Sequence, residues 1–251
     1  QAMPGFDMVG LLGSEVREAK ERVRVALKNS GFQIPPRRIT VNISPADIRK
    51  EGSAYDLPIA IGILVALEKL QEEVLKDTLF IGELGLNGEI KPVKGILPMM
   101  MMAKEQGIKC CILPKENAME GAVMEGMKII GVSSFVETCG YLMEEAEKKD
   151  AMIAPAKLDL KVLFSRTEKK KIPDFADIRG QEMVKRAAVI AAAGFHHLLI
   201  TGIPGAGKTM IAKRIPSILP PLSMEESLEV SQIYSVSGLL KEGCPLITKR
   251  P

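Results

Sequence analysis

The first strong pattern in the chain is helical and lies between Ser14 and Gly31. Apolar side chains recur there at helical spacing, at Val16, Ala19, Val23, Ala26 and Leu27. This spacing predicts an amphipathic helix of about four turns that Ser14 caps and Gly31 ends. Its other face carries Arg17, Lys20, Arg24 and Lys28 among Glu15, Glu18 and Glu21. We interpret that face as solvated and rich in ion pairs, with a nucleic-acid groove as the alternative.

The following segments add strands, a second helix and a hairpin. Residues 37–43 alternate like a strand, and a helix is expected from Asp56, as its cap, through Leu70. Residues 79–84 and 90–93 flank Asn87-Gly88, a pair that strongly predicts a β-hairpin. Short apolar strands at 109–113 and 129–132 each follow a helix-like stretch, which indicates α/β architecture.

Length and a change of composition predict two domains. The 251 residues exceed the usual size of one domain, which is about 100–200 residues. Sustained periodicity fades from about Lys148 to Asp174. We therefore expect a domain over residues 1–148, a linker over 149–174 and a second domain over 175–251. The lysine run 169–171 is interpreted as solvated, with phosphate contact as the alternative.

Composition narrows the class of protein. The net charge of +3 does not by itself indicate a nucleic-acid binder. The four cysteines, at positions 110, 111, 139 and 244, lack metal-ligand spacing, which favours reduced thiols in a cytoplasmic protein. The longest apolar run, 57–67, is shorter than the roughly 20 residues of a membrane span, and the first residues predict no secretory signal. We expect no membrane partner.

Candidate chemistry enters at residues 202–209, which match the phosphate-binding pattern G-x-x-x-x-G-K-[ST]. The apolar run 198–201 predicts a buried strand before this loop, and residues 208–215 predict a helix after it, ended by Pro216. Glycines let backbone N–H groups approach phosphate oxygens, Lys208 reaches the β- and γ-phosphates, and Thr209 joins a Mg²⁺ shell. ATP with Mg²⁺ is the expected ligand. Its expected contacts in the loop are Gly202, Ile203, Pro204, Gly205, Ala206, Gly207, Lys208, Thr209 and Met210.

Together with this loop, several segments resemble the magnesium-chelatase-like AAA+ ATPases called the YifB or ComM family. These segments are residues 3–7, 37–42, 50–60, 177–182 and 233–238. The resemblance implies an α+β N-terminal domain similar to the Lon-protease domain, of the ribosomal-S5-domain-2-like fold. The first part of an AAA+ P-loop α/β domain is expected to follow it. Members are longer at both ends, so the Walker B motif, sensors, arginine finger and lid are expected outside this chain.

The resemblance also assigns residues around the nucleotide. Ile178 and Gly180 match the AAA+ segment that contacts adenine. At His196 and His197 the chain departs from the Gly-His-Asn that members usually have, and simple packing is one interpretation of His197. After Thr209 no run of four apolar residues ends in Asp-Glu. We therefore expect this chain not to hydrolyse ATP efficiently alone.

The Lon-like part raises the question of peptidase activity, because Lon enzymes pair a Ser nucleophile with a Lys base. By the resemblance, Asp56 stands at the serine position and Leu97 at the lysine position. Neither can perform that chemistry, so no catalytic dyad and no peptidase activity are expected. Ser53 and Lys94, three residues earlier in each case, are the alternative pair.

The function that the resemblance implies is an ATPase motor acting on DNA, of the branch-migration or helicase type associated with competence. A homo-oligomeric ring is expected for the full-length protein. Two alternatives stay open. One is a magnesium-chelatase-type ATPase subunit, and the other, ranked last, is an ATP-dependent peptidase.

Overall fold

The computed structural model describes residues 5–167, 173–241 and 243–250. The chain divides into two compact units. The first unit consists of residues 1–158 and Gln232–Pro245, and the second of Asp159–Ser231 and Leu246–Pro251. The lysine run 169–171 and the first two residues of the motif at 3–7 lie outside the described residues. The domain boundaries at 148 and 174 stay predictions.

The first unit begins with two parallel strands joined by a helix. They are β1 (Gly5–Val9), α1 (Ser14–Asn29) and β2 (Arg38–Asn42). The five apolar residues predicted to form the inner face of α1 are all buried, which confirms its amphipathic pattern. Ser14 is not the cap, because Gly13 already holds the extended backbone of the N-cap and donates its N–H to Lys50 O at 2.8 Å.

The next helix, α2 (Asp56–Ala66), differs from the prediction at both ends. Asp56 is its first residue, and its carboxylate turns away from the helix instead of capping it. The helix ends before Leu70, because Leu67 leaves helical geometry and Glu68 has a φ of 56°. Most of the apolar side chains of α2 are buried in the core.

Strand β3 (Thr78–Phe80) precedes a hairpin made of β4 (Glu83–Leu84) and β5 (Ile90–Lys91). Leu84 lies opposite Ile90, and Gly88 has a φ of 84°, so the hairpin around Asn87-Gly88 is confirmed. The strand expected over 79–84 is divided. Gly82 breaks it by bonding to the start of α2, where its N–H donates to Ala54 O and its carbonyl accepts from Leu57 N.

The chain then alternates between helices and parallel strands, as the short apolar runs predict. The elements are α3 (Ile96–Glu105), β6 (Cys110–Pro114), α4 (Ala118–Gly121), β7 (Lys128–Val132), α5 (Phe135–Met143) and α6 (Ala146–Met152). Strands β3, β6 and β7 form one parallel sheet in that order. The mixed α/β class is confirmed.

The second unit is largely helical in its described part. It contains α7 (Leu160–Thr167), α8 (Glu182–Gly194), α9 (Lys208–Ala212) and the first turns of α10 (Met224–Ser237). Short 3-10 turns lie at Phe175–Asp177 and Ile215–Ile218. Its small core joins Phe175, Ile178, Ala188 and Ile211.

The buried strand expected at 198–201 is wrong. These residues have no strand geometry, and Leu199 is 87% exposed. A strand needs a hydrogen-bonded neighbour, and the described part of the second unit offers no other strand. Within the described ranges, no helix has the length and apolar character needed to cross a membrane.

Candidate nucleotide-binding site

The loop between residues 202 and 209 has the backbone geometry of a phosphate cradle. Gly205 and Gly207 have φ angles of 84° and 81°, a left-handed conformation that side chains with a Cβ rarely adopt. Gly205 lies in a turn that the N–H of Ala206 closes by donating to Ile203 O at 3.3 Å, and the chain enters α9 at Lys208. The sequence has glycine at both of these positions, where the backbone requires it.

The unpaired backbone N–H groups of this loop are suited to an anionic ligand. The N–H groups of Gly205, Gly207 and Lys208 donate to no backbone carbonyl in the described part of the chain. They lie at the start of α9, where unpaired amides and the helix dipole favour negative charge. Together with the open backbone at the glycines, these amides fit a phosphate chain.

The side chain of Lys208 is held by backbone carbonyls of the same loop. The Lys208 Nζ donates to Gly202 O at 2.8 Å and to Ile203 O at 2.7 Å. No described carboxylate forms an ion pair with this ammonium group, so its charge is available for phosphate oxygens. Thr209 is exposed beside it, and its hydroxyl bonds to no described residue, which suits a ligand of Mg²⁺.

The other residues expected to touch the nucleotide lie around this loop. Ile203 is 76% exposed and Met210 is 40% exposed, whereas Ala206 is half-buried and Pro204 is exposed. Ile203 and Met210 therefore present apolar surface at this loop. Pro204 belongs to the turn that reverses the chain.

The segment expected to contact adenine shares a small core with α9. Ile178 is buried in the same small core as Ile211 of α9. Gly180 follows with a φ of 69°. The contact between this segment and α9 places the two expected parts of the site within one unit. Direct contact with adenine stays a prediction.

Helix α9 is shorter than predicted, because it ends at Ala212 instead of residue 215. Pro216 disfavours helical geometry at the residue before it, and a 3-10 turn over Ile215–Ile218 replaces the last turn. His196 and His197 lie in the exposed segment before the loop, so the interpretation of His197 as a packed side chain is wrong.

Asp56, which is expected at the position of the Lon serine, is fully buried and held by an ion pair. Arg22 of α1 donates to both of its oxygens, from Nε at 2.6 Å and from Nη2 at 2.9 Å. The N–H of Leu84 donates to Oδ2 at 3.1 Å. Burial raises the pKa of the Asp56 carboxyl, and the hydrogen bonds from Arg22 and Leu84 oppose that rise. Sequence reasoning missed Arg22, because nothing local links residues 34 positions apart.

Leu97, which is expected at the position of the Lon lysine, is also fully buried. It lies in the first turn of α3, and its N–H donates to Glu120 Oε1 at 3.1 Å. The alternative pair is not assembled in the structure, since no hydrogen bond joins Ser53 to Lys94 among the described side chains. Ser53 is half-buried and Lys94 is exposed.

Two family models match the chain. The model described as subunit ChlI of Mg-chelatase matches residues 1–117, and the model described as magnesium chelatase, subunit ChlI, matches residues 174–251. Together these matches span well over half of the chain. The chain belongs to the magnesium-chelatase-like family that includes ComM and YifB.

The relatives are similar over nearly the whole chain. An uncharacterised protein of Mycobacterium tuberculosis is 39% identical over 249 residues, 99% of this chain and 48% of the relative. Competence protein ComM of Haemophilus influenzae is 39% identical over 93% of this chain and 45% of its own length. The uncharacterised protein YifB of Escherichia coli is 41% identical over 94% and 44%. The chain thus spans about half the length of the curated relatives it matches.

A separate similarity supports the Lon-like fold class. Lon protease 2 of Bacillus subtilis is 31% identical over 133 residues, which are 52% of this chain and 23% of the protease.

Proposed function

We propose that this chain binds ATP with Mg²⁺ and is part of an AAA+ motor that acts on DNA in the full-length, ring-forming protein. The loop at residues 202–209 carries the proposal, because it combines two glycines with left-handed backbone, amides without a backbone partner among the described residues, and a lysine ammonium group bonded to the carbonyls of the same loop. The relative ComM is a competence protein, and this supports DNA as the substrate. We place this activity in the cytoplasm.

In this proposal each element has a defined task. The amides of Gly205, Gly207 and Lys208 bind the phosphates, and the ammonium group of Lys208 moves from its two carbonyl partners to the β- and γ-oxygens. Thr209 would help to hold Mg²⁺, and the ion would offset the charge of the phosphates. Ile178 and Gly180 line the space for the adenine base. Hydrolysis requires acidic groups outside this loop.

The experiment is ATP hydrolysis by the full-length protein with and without single-stranded DNA. Lys208→Ala is expected to abolish the DNA-stimulated rate, because the positive charge that binds the β- and γ-phosphates is lost. Lys213→Ala is the matched control, since Lys213 is exposed one turn beyond Lys208 and outside the loop. A wild-type rate that DNA leaves unchanged would refute the DNA-acting part.

A second candidate is a magnesium-chelatase-type ATPase subunit, which the descriptions of both family models favour. ATP-dependent insertion of Mg²⁺ into a porphyrin by the reconstituted protein would place this candidate first. A peptidase ranks last, because Asp56 is neutralised by Arg22 and Leu97 is buried. Peptide cleavage that Ser53→Ala abolishes would contradict that ranking.

A further inference from the structure

A groove on the first unit lies apart from the nucleotide loop. Its volume is about 760 Å³, and one face of α1, the start of β1 and the connection to β2 line it. The ionisable side chains on its walls are Lys20, Glu21, Arg24, Lys28 and Arg37. Four of these five charges are positive, so the groove is suited to an anionic ligand.

The positive charges follow one stripe along α1. Lys20, Arg24 and Lys28 are spaced four residues apart, which places like charges next to each other on a helix and destabilises it slightly. Glu21 compensates only Arg24, at 2.8 Å. Lys20 and Lys28 form no ion pair with any described residue. An anionic ligand would relieve this repulsion.

An aromatic ring lies at the end of the stripe. Gly31, with a φ of 87°, ends α1, and the N–H of Phe32 donates back to Leu27 O at 3.0 Å. The Phe32 ring meets the ring of Phe135 edge to face at 5.6 Å between centroids. The half-buried Phe32 therefore presents a fixed apolar surface to the groove.

The opposite wall is stiff. Pro35 and Pro36 line the groove, and the N–H of Arg37 donates to Pro35 O at 2.7 Å. This turn fixes the backbone of Arg37, which forms no ion pair among the described residues. Cations, an aromatic ring and rigid prolines thus line one groove before any ligand arrives.

We propose that this groove binds single-stranded DNA, with phosphates along Lys20, Lys28 and Arg37 and a base against Phe32. Proteins that bind single-stranded nucleic acid combine a positively charged groove with aromatic side chains. Bases stack on those rings, because only unpaired bases expose their faces. The inference deepens the proposed function and rests on it for the choice of DNA among polyanions.

The first test is the binding of a fluorescein-labelled oligothymidine to the chain, measured by anisotropy over a range of salt concentrations. Each phosphate contact on a single strand contributes about 0.7 to the slope of log K against log salt. Lys28→Gln with Arg37→Gln is expected to make the slope shallower by about 1.4 and to weaken binding on the order of 20-fold near 0.1 M salt. The control, Lys69→Gln with Lys104→Gln, removes the same charge from exposed lysines elsewhere.

The second test separates base stacking from charge. Phe32→Leu keeps an apolar side chain, and we expect it to weaken binding about tenfold without changing the salt slope. A duplex of the same length is expected to bind more weakly than the single strand. The inference is overturned if both charge variants weaken binding equally, or if the duplex binds as tightly as the single strand.

Binding of a fluorescent ATP analogue to the same samples distinguishes this inference from the proposed function. The groove variants are expected to bind the analogue like the wild type. If the oligonucleotide binds the wild type and the groove variants with equal affinity, the groove is not the binding site and the DNA-acting function stands. If no oligonucleotide binds while ATP binding depends on Lys208, the inference is refuted and the nucleotide site stands.

Discussion

The ion pair between Arg22 and Asp56 leads to a prediction about stability. Arg22→Met keeps an apolar stem on α1 but removes two of the three hydrogen bonds to a carboxylate that is fully buried. Removal of one partner from a buried ion pair costs about 3–5 kcal/mol, because the other charge stays in a poor solvent. With a urea dependence of about 2 kcal/mol per molar, the midpoint falls by about 2 M.

The assay is urea unfolding followed by tyrosine fluorescence. The chain has no Trp, and its three tyrosines, Tyr55, Tyr141 and Tyr234, all belong to the first unit, so the signal reports on that unit. Arg24→Met is the control, because the pair of Arg24 with Glu21 is exposed on both sides. We expect this control to change stability by less than about 1 kcal/mol.

Two further measurements make the prediction specific to charge. Arg22→Met with Asp56→Asn should be more stable than Arg22→Met alone, since a neutral amide oxygen still accepts the N–H of Leu84.

The loss of Arg22 removes a cause that lowers the pKa of Asp56, so this pKa rises further. A raised carboxyl pKa favours the folded state at low pH, and that contribution is lost as pH rises through the folded pKa. The deficit of Arg22→Met should therefore shrink as pH falls from 8 toward 5, with ~5 as a practical lower limit. A deficit that is independent of pH, or a double variant weaker than the single one, would refute the reasoning.

The remaining predictions concern backbone, loop and thiols. Gly88→Ala should lower the stability of the first unit by more than about 1 kcal/mol in urea unfolding, because φ is 84° and the new Cβ would crowd the hydroxyl of Ser30. An unchanged midpoint would contradict this. Gly207→Val should weaken binding of the ATP analogue at least tenfold, since φ is 81° there, and full binding would refute the cradle geometry. Burial raises the pKa of the Cys139 thiol to about 12 and also raises the pKa of the Cys111 thiol. Mass spectrometry should therefore find that iodoacetamide leaves both thiols unmodified at about pH 8 until urea unfolds the first unit. Rapid labelling of the folded protein would contradict the burial of these thiols.

The sequence predicted best where local periodicity and burial agree. The inner face of α1 and the parallel strands β6 and β7 follow from apolar spacing alone, and the hairpin follows from Asn87-Gly88. The phosphate loop was located from residue types, because glycine is required where φ is positive.

The sequence predicted poorly where a contact from elsewhere decides the structure. Asp56 has the residue type of a helix cap, but Arg22 and Leu84 take its oxygens. The apolar run 198–201 has the pattern of a strand, yet a strand forms only with a neighbour. The polar face of α1 is largely exposed, as the sequence pattern predicts, but helix spacing alone does not show that Phe32 and Arg37 line a groove beside it.

The account depends most on nucleotide binding at residues 202–209, and equilibrium titration of the chain with a fluorescent ATP analogue and Mg²⁺ tests it most directly. We expect saturable binding that Lys208→Ala weakens on the order of 30-fold, the worth of about 2 kcal/mol for a charge-assisted hydrogen bond. Lys213→Ala should bind like the wild type. Equal affinity of the wild type and Lys208→Ala, or no saturable binding at all, would contradict the account.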